Sequence, residues 1–166
     1  MSKIAFIGLG KMGFPMAGHL KTRGRHDVVV YNRTPAKVEA WVAQLGGRSA
    51  ASPAEAAQGA DFVLTCVGND DDLRAVTLGP DGAFRTLGAG AVFIDHTTAS
   101  ASIARQLYAA AGELGASALD APVSGGQSGA ENGTLTVMVG GDEAPFAAAK
   151  PVIESYARAV NLIGPA

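Results

Sequence analysis

The sequence predicts an α/β fold, in which a doubly wound, mostly parallel sheet of about eight strands carries helices on both faces. Short apolar runs alternate with amphipathic segments along the chain, as they do in successive βαβ units. Several of these runs are continuously β-branched or aromatic, which is typical of strands that are covered on both faces. The 22 glycines cluster where the strand patterns end and therefore mark turns. For the first part of the sheet we expect the strand order 3-2-1-4-5-6.

Eight segments have the composition of strands, and the third is the weakest of them. The last one lies at the end of the chain, so the strand pattern covers its whole length. The eight segments are Ile4–Ile7, Val28–Tyr31, Arg48–Ala50, Phe62–Val67, Val92–Asp95, Ala118–Ala121, Leu135–Val139 and Ala159–Ile163.

The helices between these strands are recognised mainly by their first residues. Thr34-Pro35 and Ser52-Pro53 each place a capping hydroxyl before a proline at the first helical position, and Glu55 completes a capping box. Asp70–Asp72 give another helix an acidic first turn, which the helix dipole favours. In the last helix, Pro151 predicts a bend or a break. A further helix is indicated by an apolar stripe at helical spacing, formed by Ile103, Leu107, Ala110 and Leu114.

Length and charge restrict the class of protein. The 166 residues suffice for one domain, which we place at residues 1–166. A net charge of −2 and scattered basic residues argue against nucleic acid or an anionic membrane as a partner. No apolar run approaches the roughly 20 residues of a membrane span, and the strand pattern begins at Ile4, so we expect a cytoplasmic protein. The single cysteine, Cys66, excludes an internal disulfide framework.

A G-x-G-x-x-G pattern follows the first strand and opens the first helix. Its first glycine permits a tight turn, the second lets the backbone approach a pyrophosphate, and the third lets the helix pack close to the strand. The phosphates then lie at the helix N-terminus, where backbone N–H groups and the dipole favour anions. This context predicts a Rossmann dinucleotide-binding domain. The cofactor-binding residues expected in the loop are Gly8, Leu9, Gly10, Lys11, Met12 and Gly13.

The residues after the second strand predict the cofactor. An NAD site usually has Asp or Glu here to accept a hydrogen bond from the ribose 2′-hydroxyl. This chain has Asn32, which removes a charge that would repel a 2′-phosphate, and Arg33, which offers a planar cationic fork to it. Thr34 adds a hydroxyl that can bind phosphate, cap the following helix, or do both. We therefore expect NADP(H) rather than NAD(H).

Three further strand ends add candidate residues. Small residues after the fourth strand would let the cofactor ribose and nicotinamide lie against the backbone, and here we expect Cys66, Val67 and Asn69 to contact the cofactor. We interpret Cys66 as a small buried apolar residue and not as a nucleophile. The fifth strand ends in Asp95–Thr98. After the sixth, Ser124-Gly125-Gly126 could offer a hydroxyl and two unhindered N–H groups to a carboxylate.

Four segments together, Phe6–Gly13, Asp95–Thr98, Asp120–Gly126 and Gly133–Thr136, resemble the N-terminal domain of the β-hydroxyacid dehydrogenases. That family includes 3-hydroxyisobutyrate dehydrogenase, tartronate semialdehyde reductase, glyoxylate/succinic semialdehyde reductases and 6-phosphogluconate dehydrogenase. The resemblance implies hydride transfer on a small hydroxyacid or semialdehyde and a homo-oligomeric full-length enzyme. It also implies that Thr98 contacts the nicotinamide end, while Ser124, Gly125 and Gly126 bind the substrate carboxylate.

The chain departs from this family in one respect. The catalytic lysine of the family lies in a C-terminal helical domain, which is absent from residues 1–166. None of the lysines present matches it, so we expect no catalytic residue in this chain and no turnover by the chain alone. The lysines present are Lys3, Lys11, Lys21, Lys37 and Lys150.

Two other functions are compatible with the sequence. An imine reductase would share the glycine loop and Asn32–Thr34, but the Asp120–Gly126 loop argues against it. A non-catalytic NADP-binding module would suit the missing lysine. His96 next to Asp95 suggests a general-base pair, but adjacent residues on a strand point to opposite faces, so we do not expect it to be catalytic. His19 and His26 are interpreted as surface residues. No cluster has metal-ligand spacing, so no metal is expected.

Overall fold

The computed structural model describes residues 1–166 and contains nine strands and seven α-helices. The strands are β1 (Lys3–Ile7), β2 (Asp27–Tyr31), β3 (Arg48–Ser49), β4 (Phe62–Thr65), β5 (Val92–Asp95), β6 (Ser117–Asp120), β7 (Val123–Ser124), β8 (Leu135–Gly140) and β9 (Ala157–Gly164). The helices are α1 (Gly13–Thr22), α2 (Pro35–Leu45), α3 (Pro53–Ala57), α4 (Asp70–Thr77), α5 (Ala101–Glu113), α6 (Gly126–Asn132) and α7 (Glu143–Ile153). One 3₁₀ turn spans Ala83–Arg85.

All nine strands belong to one sheet. Its order is β3-β2-β1-β4-β5-β6-β8-β7, with β9 paired to β8. The first six strands, β1 to β6, are parallel and lie in the order 3-2-1-4-5-6, which confirms the prediction. β8 is antiparallel to β6 and β7, and β9 is parallel to β8. The chain reverses its direction of travel across the sheet between β1 and β4, and a crevice at such a switch point is where ligands bind in α/β sheets.

Three local predictions need correction. The additional ninth strand is β7, a two-residue pair with β8 that directly follows Pro122 and is too short to give an apolar alternation. Helix α7 runs without a break through Pro151, because the helix ends two residues later and little of its hydrogen bonding is lost. Leu114 does not belong to the apolar stripe of α5, because the helix ends at Glu113 and Leu114 is exposed.

Apolar side chains cover the sheet on both faces, as the continuous strand patterns predicted. Along β1, Ile4 and Phe6 belong to one buried cluster, whereas Ala5 and Ile7 belong to the other. The first cluster also contains Trp41 of α2, which is fully buried. A parallel sheet packed in this way fixes the positions of its strand ends, and the candidate site lies at those ends.

Candidate cofactor site

A cleft of about 590 Å³ opens where β1, β2 and β4 end. Its walls come from the glycine loop, from the residues after β2 and β4, and from α4 with the loop that follows it. The lining residues are Ile7, Gly8, Gly10, Lys11, Met12, Gly13, Tyr31, Asn32, Arg33, Thr34, Pro53, Cys66, Val67, Gly68, Asp72, Ala75, Val76, Pro80 and Asp81. The cleft therefore brings together three segments that the sequence had indicated separately.

The three glycines of the loop differ in what surrounds them. Gly8 has a φ of +106°, and a Cβ there would overlap the carbonyl oxygen of Cys66. A Cβ at Gly13 would overlap the carbonyl oxygen of Gly8 and lie 3.1 Å from the Phe6 ring. Gly10 has no atom within 4 Å of its Cβ position and faces the cleft. The absence of a side chain at the first and third glycines thus allows the backbone to pack closely, whereas at the second it leaves space for a ligand.

Leu9 and Asn32 fasten the loop to the end of β2. The Leu9 side chain is fully buried, and its N–H donates to Asn32 Oδ1 over 2.9 Å. Asn32 Nδ2 donates in turn to the Thr34 carbonyl oxygen over 3.2 Å. Asn32 lines the cleft, whereas Leu9 does not. Leu9 was expected to contact the cofactor, but its side chain and its N–H are both engaged within the protein.

Arg33 and Thr34 present their polar groups at the rim of the cleft. The Arg33 side chain is 83% exposed, and its only hydrogen bond goes to Asp72 Oδ1, 3.3 Å from Nη1. Thr34 precedes α2, but its hydroxyl makes no capping hydrogen bond to that helix. Of the two roles considered for Thr34, helix capping is not observed, and the hydroxyl is available to a ligand.

The wall formed by α4 and its following loop was not foreseen from the sequence. It contributes apolar surface from Ala75, Val76 and Pro80, together with the carboxylates of Asp72 and Asp81. The acidic first turn of α4 was interpreted only as a helix start. The negative charge of this turn is the only sequence feature that could have pointed to a functional role. Nothing in the local pattern indicates that Asp72 lines the same cleft as the glycine loop.

A buried hydrogen-bond network shapes the cleft beside Cys66. Asp95 Oδ1 accepts from the Thr65 hydroxyl over 2.8 Å and from the Thr97 N–H over 2.9 Å. Thr97 Oγ1 then accepts from the Val67 N–H over 3.1 Å, which joins the ends of β4 and β5. Burial raises the pKa of Asp95 to about 6 despite these bonds.

Cys66 is half-buried in this wall and has no partner for a disulfide. Burial, followed by the charge of Asp95, raises the pKa of its thiol to about 12. A thiol with that pKa carries almost no thiolate at neutral pH, and thiolate is the nucleophilic form. The site geometry therefore favours a packing role for Cys66 in the cleft wall.

His96 is buried and does not pair with Asp95. Its Nδ1 donates to the Ala121 carbonyl oxygen over 2.7 Å, and its Nε2 accepts from the Tyr156 hydroxyl over 2.5 Å. These partners fix the neutral tautomer, and burial lowers the pKa of His96 to about 4. His96 therefore links the end of β5 to the segment after β6 and to Tyr156, the residue before β9.

Replacing Tyr156 by phenylalanine should lower the free energy of unfolding by about 1–3 kcal/mol, because His96 Nε2 would lose its partner in a buried site. Tyr108→Phe is the matched control, because Tyr108 is exposed and donates to Asp142 at the surface. We expect this control to change stability by less than about 0.5 kcal/mol. Urea unfolding of both variants makes the measurement, and equal losses would contradict the buried pair.

Besides Leu9, five of the expected site residues lie outside the cleft. Asn69 caps α4, with its Oδ1 accepting from the Asp72 N–H over 2.9 Å, and Thr98 is exposed after β5. Ser124 ends β7, Gly125 follows it and Gly126 begins α6; all three are exposed, and both glycines have positive φ. β5 and β6 end at the same edge of the sheet as β1 and β4, so the segments that carry Thr98 and Ser124 follow strand ends on the cofactor side.

Helix α6, which follows this loop, is held at its other end by α1. His19 Nε2 lies 3.0 Å from the Ala130 carbonyl oxygen and 2.9 Å from that of Glu131. Arg23 donates to the carbonyl oxygens of Asn132 and Gly133 over 3.0 and 3.3 Å. The two side chains cap the C-terminal carbonyls of α6, and we name these contacts the α1–α6 clamp. His19 and His26 are partly buried, and His26 Nδ1 accepts from the Ser2 N–H, so neither is the plain surface residue that was predicted.

No group of three or more His, Cys, Asp or Glu side chains is arranged to hold a metal ion. None of the helices has the length and apolar character needed to cross a bilayer.

Comparison with known proteins identifies the domain family. A family model described as the NAD binding domain of 6-phosphogluconate dehydrogenase matches residues 3–164. The chain belongs to this family. An uncharacterized oxidoreductase of Shewanella frigidimarina is 61% identical over 165 residues, covering 99% of this chain and 56% of the relative. The 3-hydroxyisobutyrate dehydrogenase of Pseudomonas aeruginosa is 39% identical over 158 residues, covering 95% and 52%.

A solved structure of Mycobacterium tuberculosis 3-hydroxyisobutyrate dehydrogenase with L-serine superimposes with a TM-score of 0.92 at 37% identity, covering 100% of this chain and 55% of that one. The resemblance to β-hydroxyacid dehydrogenases, and the Rossmann fold, are thereby confirmed. The chain spans little more than half the length of these members of the 6-phosphogluconate dehydrogenase-like family.

Family members and structural neighbours differ in cofactor and substrate. A protein of Pseudomonas aeruginosa that is 39% identical, covering 99% of this chain and 55% of its own, is an NAD-dependent L-serine dehydrogenase. Psf3, 27% identical with a TM-score of 0.90, was solved with NADP+ and covers 97% and 56%. A Streptomyces aurantiacus imine reductase is 26% identical with a TM-score of 0.84, covering 97% and 55%. Membership of the family therefore does not determine whether the cofactor is NAD or NADP, and the residues of the cleft have to be considered for that.

Proposed function

We propose that residues 1–166 form the NADP(H)-binding domain of an oxidoreductase that interconverts a small hydroxyacid and a semialdehyde by hydride transfer. The cleft between the glycine loop and α4 carries this proposal. Gly8 and Gly13 close the turn, Gly10 leaves room for a pyrophosphate, and the loop opens α1, whose N-terminal dipole end favours an anion. A dinucleotide fits this arrangement.

Preference for the 2′-phosphate is supported by two groups at the rim. The guanidinium of Arg33 is exposed and has one hydrogen bond, so most of its donors can turn to a phosphate. The Thr34 hydroxyl makes no capping bond and lies beside it. Position 32 carries an amide and no carboxylate, which removes the usual acceptor for the 2′-hydroxyl of NAD.

For the reaction itself, bound nicotinamide supplies or accepts the hydride. The residues of this chain would bind and orient the reactants: Cys66 and Val67 would form the wall beside the ribose and nicotinamide, and Thr98 would contact the nicotinamide end. Ser124, Gly125 and Gly126 bind the substrate carboxylate through a hydroxyl and two N–H groups. The proton for the carbonyl oxygen comes from a lysine of the helical domain that the resemblance implies.

Cofactor binding can be tested on the chain directly. Titration calorimetry with NADPH and NADH should show binding of both and tighter binding of NADPH. No binding of either dinucleotide would overturn the proposal in favour of a domain that has the fold without its ligand.

Turnover requires the second domain, and a chimera can provide it. Residues 1–166 would be joined to the C-terminal part of the Shewanella frigidimarina relative, of which this chain covers 56%. NADPH absorbance is followed with glyoxylate, succinic semialdehyde and methylmalonate semialdehyde. The chimera should be at least about 10²-fold faster than the chain alone, because a positioned general acid contributes roughly 10²–10⁴-fold.

The same chimera separates the alternatives. Ser124→Ala should raise the KM for the acid substrate, and unchanged KM and kcat would remove this residue from the substrate site. Reduction of cyclic imines without reduction of semialdehydes would indicate an imine reductase. Cofactor binding with no turnover of either class would indicate a non-catalytic module.

A further inference from the structure

Asp72 lies in the cleft as the direct partner of the arginine assigned to the 2′-phosphate. Its Oδ1 accepts the only hydrogen bond that the Arg33 guanidinium makes, over 3.3 Å. The two side chains differ in freedom, since Arg33 is 83% exposed and Asp72 only 29%. In this pair, the arginine is therefore the group that can move, and the carboxylate is the group that is held.

Local structure explains why the carboxylate is held. Asp72 belongs to the first turn of α4, and its N–H donates to the capping Asn69 Oδ1 over 2.9 Å. Its Oδ2 packs against Gly68, where a Cβ would come within 2.9 Å of it. Asn69 and Gly68 thus fix the helix start and admit the carboxylate at the cleft wall, and the charge faces the space that a ligand would occupy.

The charge of Asp72 acts against a 2′-phosphate. A phosphate that binds the free donors of Arg33 lies within a few ångströms of the Asp72 carboxylate, and like charges at that separation repel. If the phosphate displaces Asp72, the exposed ion pair that is lost contributes little by itself. A ribose 2′-hydroxyl is neutral and can donate a hydrogen bond to the same carboxylate. Asp72 and Arg33 therefore favour opposite cofactors.

We propose that Asp72 is a specificity-determining residue that weakens the binding of the 2′-phosphate and holds the preference for NADP(H) below what Arg33 alone would give. This inference rests on the proposed function, because it assumes that the cleft binds a dinucleotide with its 2′ position next to Arg33. It assigns to the first turn of α4 a role that the glycine motif and Arg33 do not reveal.

The test compares two single-charge variants by titration calorimetry with NADPH, NADH and 2′,5′-ADP. Asp72→Asn should tighten binding of NADPH and of 2′,5′-ADP by about fivefold to tenfold at low ionic strength. This gain should shrink at physiological salt, where charges are screened over about 8 Å. NADH affinity should stay the same or fall. The matched control is Asp71→Asn, in the same helical turn, because Asp71 is 97% exposed and pairs with Arg74 outside the cleft.

Each outcome decides the inference. The inference is overturned if Asp72→Asn leaves NADPH affinity unchanged, which would mean that the carboxylate has no effect on binding. It is also overturned if Asp72→Asn weakens NADPH binding, which would mean that the carboxylate orients Arg33 for the phosphate. An equal gain from Asp71→Asn would overturn it as well. If the wild-type chain prefers NADH, the proposed cofactor preference fails separately, and the ratio between Asp72→Asn and wild type still tests Asp72.

Discussion

Replacing Arg33 by alanine is expected to remove most of the preference of this chain for NADPH over NADH. Hydrogen bonds to charged groups contribute roughly 1.5–3 kcal/mol each, so one or two bonds from Arg33 and Thr34 to a phosphate give a preference of at least about tenfold. The Arg33→Ala variant should bind the two cofactors within about threefold of each other. NADH affinity should change little, because NADH lacks the phosphate.

Calorimetric titration of both cofactors into both proteins makes this measurement. Arg74→Ala is the control, because Arg74 lies outside the cleft and pairs with Asp71 at the surface of α4. It should keep the wild-type preference. Equal affinity of the wild-type chain for NADPH and NADH would refute the assignment of Arg33 to the 2′-phosphate.

Gly10→Ala and Gly13→Ala are expected to have different effects: the first should weaken cofactor binding, and the second should destabilise the fold. At Gly13 the new Cβ overlaps the Gly8 carbonyl oxygen, which is backbone and cannot yield, so we expect a loss of at least about 3 kcal/mol in the free energy of unfolding. At Gly10 nothing lies within 4 Å, so stability should stay within about 1 kcal/mol of wild type. The Gly10 methyl group would instead occupy the path of the pyrophosphate.

Gly10→Ala should therefore weaken NADPH binding by about a hundredfold or more in a fully folded protein, which corresponds to about two lost charge-assisted hydrogen bonds. Urea unfolding and calorimetry on the same samples separate the two effects. Gly112→Ala is the control, since Gly112 lies in α5 with open space around it, and alanine there should slightly stabilise the helix without affecting the cofactor. Wild-type affinity of Gly10→Ala would show that no phosphate approaches this loop.

The sequence predicted the parts of this domain that depend on short-range patterns. The apolar runs of β1, β4 and β5 and the glycine spacing define the sheet and its turn, because each property is encoded within one strand or one loop. Arg33 directly follows β2, and residues after the strands of such a sheet lie at the edge where the cleft opens, so its position could also be predicted. Strand order could be predicted as well, because parallel βαβ connections allow few topologies.

The remaining features depend on contacts between distant segments. Arg33 meets Asp72 across 39 residues, and Leu9 meets Asn32 across 23. A polar group can be assigned to one partner only when the fold has placed both, so the sequence described Asp72 only as a helix start and gave no sign of the hydrogen bond between Leu9 and Asn32. β7 escaped prediction for a different reason, since two residues are too few to show a strand period.

The α1–α6 clamp is expected to form late in folding. Arg23 and Gly133 are separated by 110 residues, so the clamp closes a long loop, and the entropy of that closure opposes it until most of the sheet has formed. During synthesis, the residues that carry the glycine loop emerge before the carbonyls that receive His19 and Arg23. The helix that follows the glycine loop therefore obtains this support only after a further 110 residues have been made.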